Sequence, residues 1–255
     1  MNNIKCVIFD WAGTTVDFGC FAPVNVFIQI FKNAGIDVTN EEARLPMGML
    51  KIDHIREMLK MERIRNEWKF KYKRDFTEED VNNLYKEFEP ALLKSLKDYT
   101  DIKPNVLETI NTLRKRGIKI GSTTGYTDKM MEIVVKEAEK KGYSPDFYIT
   151  PDSTNSLGRP YPYMIFRNME ELKILSPKEI IKVGDTNSDI LEGKNAGVTT
   201  VGITVGSSNM GLSKEEYDSL SDSKKREARE RVREGFLNIG ADHVIDDIRE
   251  ICNLI

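Results

Sequence analysis

Between residues 106 and 204 short β-branched runs alternate with amphipathic stretches, and this alternation limits the chain to very few folds. Val106–Arg116 has a helical apolar period and stops at Gly117, and Ile118–Ser122 (IKIGS) has the character of a strand. Helix Asp128–Lys141, strand Phe147–Thr150, helix Tyr163–Leu172, strand Ile180–Val183, helix Ser188–Ala196 and strand Val198–Thr204 continue the pattern. Strands separated by helices pair in parallel, and the sheet they form is covered by helices on both faces. Lys5–Phe9 (KCVIF), short and apolar, adds a buried strand near the start.

The interval from about 22 to 97 breaks the alternation and contains no convincing strand. Val26, Phe27, Ile30, Phe31 and Ala34 share one helical face ahead of Gly35. Thr39-Asn40-Glu41-Glu42 and Thr77-Glu78-Glu79-Asp80 have the form of helix-starting capping boxes. The expected fold is α/β: a Rossmann-like, doubly wound parallel sheet core (1–20 and 100–255) with an inserted α-helical cap domain (21–99). Tyr99–Pro104 is the linker that returns the chain to the core. Residues 213–235 mix acids with bases, as a solvated helical face does.

Composition excludes several function classes. A net charge of −3 gives no electrostatic basis for binding nucleic acid or an anionic membrane. Cys6, Cys20 and Cys252 form no CxxC pair, which argues for reduced thiols in a cytoplasmic protein without a zinc site. Neither a signal-peptide pattern nor an apolar run of about 18 residues is present.

Open parallel sheets bind ligands at the carboxyl ends of their strands. Four polar features fall at such ends: Asp10, Thr123-Thr124-Gly125-Tyr126, Gly158-Arg159-Pro160 and Gly184-Asp185-Thr186-Asn187-Ser188-Asp189. Asp10 and Asp185 are hard oxygen ligands suited to Mg²⁺, and Asp189 either ligates directly or orients a metal-bound water. The Thr124 hydroxyl, the Gly125 amide and the Arg159 fork are donors for a phosphoryl group. Asp10 is then placed to attack phosphorus and form an aspartyl phosphate. Any one of these features alone is more often a helix cap, a turn or a solvated side chain. Their specificity lies in four of them in order, each at an expected strand end.

With VIFD at Val7–Asp10, STT at Ser122–Thr124, Arg159 and GDTNSD at Gly184–Asp189, the chain resembles the haloacid dehalogenase superfamily of phosphotransferases. The resemblance implies a Rossmann-like core, a Mg²⁺ cofactor, an aspartate nucleophile and a cap inserted after the first strand. Phosphatases of that superfamily read D-x-D, and the second aspartate transfers a proton. Here that place is Ala12, which offers only a backbone carbonyl to a metal. A silent protein, a dehalogenase or a leaving group served by another device would each account for it. GDTNSD disfavours the dehalogenase, and intact Asp10, Thr124, Arg159 and Asp185 disfavour the silent protein.

The stretch Met47-Gly48-Met49-Leu50-Lys51-Ile52-Asp53-His54 supplies a candidate device. Pro46 and Gly48 mark a turn into a new helix, with Lys51 in its first turn, where the helix dipole and desolvation both favour a neutral amine. A neutral amine forms an imine with an aldehyde. If phosphorus sits on the carbon next to that carbonyl, the iminium is an electron sink when the P–C bond breaks, and no acid at position 12 is needed. His54 lies three residues on, on the same helix face, where it can assist proton transfer.

DWAGTTVD, MGMLKIDH, GSTTGYT and GRPYP together are similar to the phosphonatase family of that superfamily, over nearly the whole chain. The resemblance implies phosphonate degradation, with Asp10 as nucleophile and Lys51 as Schiff-base lysine. It further implies metal binding by Asp10, the Ala12 carbonyl and Asp185 with Asp189 in support. Thr124, Gly125 and Arg159 bind phosphoryl, and Cys20, Met47, Gly48, Tyr126 and His54 line or assist the site. A homodimer joined through the cap is implied as well. Competing readings are a general phosphomonoesterase or mutase, which Ala12 disfavours, a non-catalytic binding protein, and a dehalogenase.

Overall fold

The structure, a computed structural model, describes residues 4–255. Six strands form one parallel sheet in the order β3-β2-β1-β4-β5-β6. They are β1 (Cys6–Phe9), β2 (Lys119–Thr123), β3 (Phe147–Ile149), β4 (Ile180–Gly184), β5 (Thr199–Ile203) and β6 (His243–Ile245). The four strands expected after residue 106 and the one near the start are all present, within two residues at their ends. In this order the winding reverses between β1 and β4, and a crevice opens at the carboxyl ends of those two strands. Asp10 follows β1 and Asp185 closes on β4, so both stand at that crevice.

The period of β1 shows how the sheet is sealed. Val7 and Phe9 join the larger apolar cluster, while Cys6 and Ile8 join a second one with Ile165, Ile180 and Val198. Alternate residues of a strand point to opposite faces, so a run that is apolar throughout must be covered on both sides. The cover is supplied by α6 (Val106–Lys115), α7 (Asp128–Lys140), α8 (Tyr163–Leu172) and α9 (Asn187–Ala196).

Five helices fill the interval between β1 and α6: α1 (Phe21–Asn33), α2 (Asn40–Arg44), α3 (Lys51–Lys60), α4 (Glu62–Tyr72) and α5 (Glu78–Ser95). Both expected capping boxes form, Thr39 with Glu42 at α2 and Thr77 with Asp80 at α5. Phe27 of α1 stacks on Phe88 of α5 at 4.3 Å between ring centroids, which ties the first inserted helix to the last.

Two regions depart from the sequence expectation. The 213–235 stretch is not one solvated face. It forms α10 (Lys214–Ser219) and α11 (Asp222–Asn238), and its Tyr217 and Val232 join Phe236, Ile190 and Met210 in a third apolar cluster. Few apolar residues among many charges hid that packing. The Tyr99–Pro104 linker also does more than connect, because its Lys103 is buried and reaches into the core.

Candidate active site

The turn after β1 places Asp10 and shapes what stands behind it. Asp10 is buried, and its amide donates to the Val183 carbonyl of the neighbouring strand at 3.0 Å. Gly13 has φ +87°, and a Cβ there would overlap the Asp185 carboxylate, so only glycine lets this turn pass so close. The next residue, Thr14, donates its hydroxyl to Asp185 Oδ1 at 3.1 Å. The Ser208 amide donates to Asp185 Oδ2 at 2.7 Å.

Asp10, Asp185 and Asp189 each offer a carboxylate oxygen, all within 4.8 Å of one another and all buried. Burial, then the charges of Asp10 and Asp189, push the Asp185 carboxyl well above its ordinary range. Three crowded carboxylates of this kind are a donor set for a hard divalent cation. Asp189 differs from the other two. Its Oδ1 accepts from Lys182 at 2.6 Å and lies 3.1 Å from Arg159 Nη1, while its Oδ2 accepts from Thr186 Oγ1 at 2.6 Å. Burial opposes its charge, but Arg159 and Lys182 overcome this and hold its carboxyl below the usual range.

Arg159 is wholly buried at the hub of these contacts. Nη2 donates to Asp10 Oδ1 at 2.7 Å and to Thr123 Oγ1 at 2.8 Å, and Nε donates to Glu192 Oε2 at 2.9 Å. Burial works against the guanidinium charge, and the carboxylates of Asp10, Asp189 and Glu192 more than offset it. Thr124 is buried at the end of β2, where its hydroxyl accepts the Tyr126 amide at 3.1 Å.

The inserted helices close the crevice from the other side. Lys51 is the first residue of α3, as the Pro46–Gly48 turn suggests, and only 2% of it is exposed. Its Nζ lies over the Tyr126 ring, 4.9 Å from the centroid. Burial is the main cause that lowers its pKa, and Arg159 adds to it against Cys20, Asp10 and Asp185. Gly48, at φ +90°, brings the turn so near Thr186 that a Cβ would overlap the hydroxyl. Ser188 Oγ donates to the Met47 carbonyl at 3.0 Å, and Gly125 lies directly beneath the Met49 carbonyl.

What remains between the two sides is a cavity of about 20 Å³. Asp10, Ala12, Thr124 and Arg159 wall it from the core, and Met47, Gly48 and Lys51 from the inserted helices. Cys20, Gly125, Tyr126 and Thr186 complete the lining. Burial raises the Cys20 thiol and the Tyr126 phenol well above their usual ranges, so both stay protonated. Three candidates do not reach the lining: Asp185 and Asp189, which stand behind it in the carboxylate cluster, and His54, which lies within the inserted helices. The His54 ring stacks on Phe27 at 3.8 Å, and Nε2 lies 2.9 Å from the Ala43 carbonyl. A carbonyl only accepts, so Nε2 carries the proton and Nδ1, without a partner, is an acceptor. Burial, and then Lys51, keep the ring neutral by lowering its pKa well below the usual value.

Sequence reasoning missed Lys103, Lys182 and Glu192. Lys103 Nζ donates to the carbonyls of Gly13, Val205 (2.9 Å) and Gly206 (3.1 Å). Burial brings its pKa down to about 8, against the pull of Asp185 and Asp17. Lys182 pairs with Asp189 and lies 3.7 Å from Glu192. A lysine inside the apolar run IIKVG was the available signal for Lys182, and Glu192, one helical turn beyond Asp189, was its natural complement. Nothing local distinguished Lys103 from an ordinary linker lysine.

A haloacid dehalogenase-like hydrolase model matches residues 4–197, and a related hydrolase-like model matches 156–251. The chain is 56% identical over 252 residues to a phosphonoacetaldehyde hydrolase of Lysinibacillus sphaericus, covering 99% of this chain and 94% of that protein. It is 54% identical to a bifunctional phosphonoacetaldehyde hydrolase/aminoethylphosphonate transaminase of Clostridioides difficile, where it covers 99% of this chain and 40% of the longer protein. A solved phosphonoacetaldehyde hydrolase-like protein from Oleispira antarctica superposes with a TM-score of 0.94 at 36% identity, over 99% of this chain and 91% of that one. Site geometry, sequence and fold agree: the chain belongs to the haloacid dehalogenase-like hydrolases, in the branch formed by the phosphonoacetaldehyde hydrolases.

Proposed function

We propose that this chain hydrolyses the carbon–phosphorus bond of phosphonoacetaldehyde to acetaldehyde and phosphate by dividing the work between Asp10 of the core and Lys51 of the inserted cap (21–99). The observation that carries this reading is a buried lysine of lowered pKa that shares a 20 Å³ cavity with Asp10 and the proton-inert Ala12.

The Lys51 amine adds to the aldehyde carbon and water leaves, giving an imine. Its protonated form draws electron density from the adjacent carbon. Asp10 attacks phosphorus, the P–C bond breaks, and its electron pair flows into the iminium to give an enamine. Protonation at carbon and hydrolysis release acetaldehyde and regenerate the amine. Water cleaves the aspartyl phosphate to phosphate and free Asp10. Ala12 is sufficient because no alkoxide departs. His54 packs behind α3, outside the cavity, and its neutral ring adds no positive charge beside Lys51.

Arg159 holds Asp10 and, with Thr124 and the Gly125 amide, receives phosphoryl oxygens. Cys20, Met47, Gly48 and Tyr126 shape the space around the aldehyde. The acidic cluster fits Mg²⁺, with Asp10, Asp185 and the Ala12 carbonyl as ligands and Asp189 holding the set in register through Thr186 and Lys182. When bound, the ion supplies charge neutralisation at the phosphoryl oxygens. Among the described residues no helix is long and apolar enough to cross a membrane.

The decisive experiment measures phosphate release from phosphonoacetaldehyde with Mg²⁺, comparing wild type with Lys51→Ala. Release that depends on Lys51, together with borohydride trapping of the substrate on that residue, is expected. Equal turnover by Lys51→Ala would refute the imine. A homodimer through the cap, implied by the phosphonatase resemblance, would be refuted by a monomeric mass in sedimentation equilibrium.

A further inference from the structure

We propose that Arg44 is a positioning residue that fastens the Lys51-bearing turn onto the core loops beside the carboxylate cluster. Arg44 ends α2, immediately before that turn. Its own carbonyl accepts the Met47 amide at 3.0 Å, so the residue is built into the turn through its backbone. Its side chain points the other way, to the core. Nη1 donates to the Gly19 carbonyl at 2.6 Å and reaches the Ser208 carbonyl at 3.3 Å and the Ser208 hydroxyl at 3.4 Å. The guanidinium carbon lies 4.7 Å above the Phe21 ring.

Both anchor points belong to the site's framework. Gly19 sits in the passage from β1 into α1, and its amide donates to the Gly206 carbonyl at 2.8 Å. Ser208 is the residue whose amide holds Asp185 Oδ2. One side chain thus bridges the turn that carries Lys51 and the loop that holds Asp185. The arrangement has a cost, because Nη2 is buried without a partner and the charge is paired with carbonyls, not a carboxylate. A surface arginine with a free choice of rotamer would not adopt it. The other hydrogen bonds from the turn to the core among the described residues, Ser188 to Met47 and Arg159 Nη1 to Gly48 at 3.4 Å, involve no charged side chain of the cap.

The seating of the turn is what desolvates Lys51, so loosening Arg44 must show in the chemistry of that amine. The test is competitive acetylation of the folded protein over a range of pH, with Lys51 labelling followed by peptide mapping. Arg44→Ala is expected to label at least tenfold faster at Lys51, with the pH midpoint moved upward toward that of a free lysine. Its kcat/KM should fall about ten- to a hundredfold, the range for one charged hydrogen-bonding group. Millimolar guanidinium should restore both, and Arg44→Lys should fall between wild type and Arg44→Ala. Circular dichroism confirms the fold, and Ser208→Ala, which removes only one long contact, gives a milder variant expected to shift the midpoint in the same direction. Unchanged labelling and midpoint in Arg44→Ala, or lost turnover that guanidinium does not restore, would overturn the assignment. The labelling reads seating directly, so the latch rests on the active-site reading only through turnover. Failure of the imine shows separately, as an active Lys51→Ala enzyme.

Discussion

Lys51 and Lys182 are both buried, one in the inserted helices and one in the sheet, and their surroundings are opposites. Lys182 lies between Asp189 at 2.6 Å and Glu192 at 3.7 Å, inside a network that also contains Arg159. Lys51 forms no ion pair among the described residues and rests over an aromatic ring. Burial alone disfavours an ammonium group, and a close carboxylate restores it. The sheet therefore uses its lysine as a fixed charge that organises carboxylates. The cap presents its lysine with the compensation removed, which is the condition for a nucleophilic amine.

The largest effects should break this comparison at the chemistry. Lys51→Ala and Asp10→Asn are each expected to lower phosphate release roughly 10³-fold or more, while far-ultraviolet circular dichroism stays that of the wild type. Activity within tenfold of wild type in either variant would assign the nucleophile or the electron sink elsewhere. Lys182→Met probes the other side. It strips the cation from a buried cluster of acids and should cost about 3–5 kcal/mol in urea unfolding. A loss below about 1 kcal/mol would mean that Arg159 alone balances the network.

Lys51→Met should do the reverse and stabilise the fold by about 1 kcal/mol at pH 7, because it removes an uncompensated buried amine. The sign with pH follows from the lowered pKa. Between that value and the ordinary lysine value of about 10.4, the unfolded chain binds more protons than the folded one, so wild-type stability rises with pH. The advantage of Lys51→Met should shrink over the same interval, as thermal melts from pH 7 to 10 would show. A gain that grew with pH would contradict a depressed Lys51. The smallest effect belongs to Ser188→Ala, which removes one neutral hydrogen bond to the Met47 carbonyl. It should cost about 1 kcal/mol and less than tenfold in turnover, read as a rise in KM before any fall in kcat.

Much of this site is legible in the sequence, for identifiable reasons. Asp10 and Asp185 follow apolar strand runs, and parallel α/β order alone carries such positions to one crevice. Ala12 and the Pro46–Gly48 turn were informative because each breaks an expectation. The less legible residues act across long sequence separations. Lys103 meets Gly13 and Gly206, Arg44 meets Ser208, and neither pairing leaves a local period or spacing. His54 shows the opposite limit: helical spacing set it one turn from Lys51 on α3, but its ring packs against Phe27 and stays out of the cavity. The sixth strand went unread because three residues with an exposed histidine give too little alternation.

The cavity of about 20 Å³ has a consequence for time as well as for shape. Such a space holds about one water molecule, far less than an aldehyde bearing a phosphonate. A substrate of that size enters only if the turn and the core move apart, and the rate of that opening would cap turnover however fast the bonds are broken. Between visits the amine is hidden from the other aldehydes a cell contains. The imine proposed for Lys51 would then owe its selectivity to how seldom, and how briefly, that amine can be met.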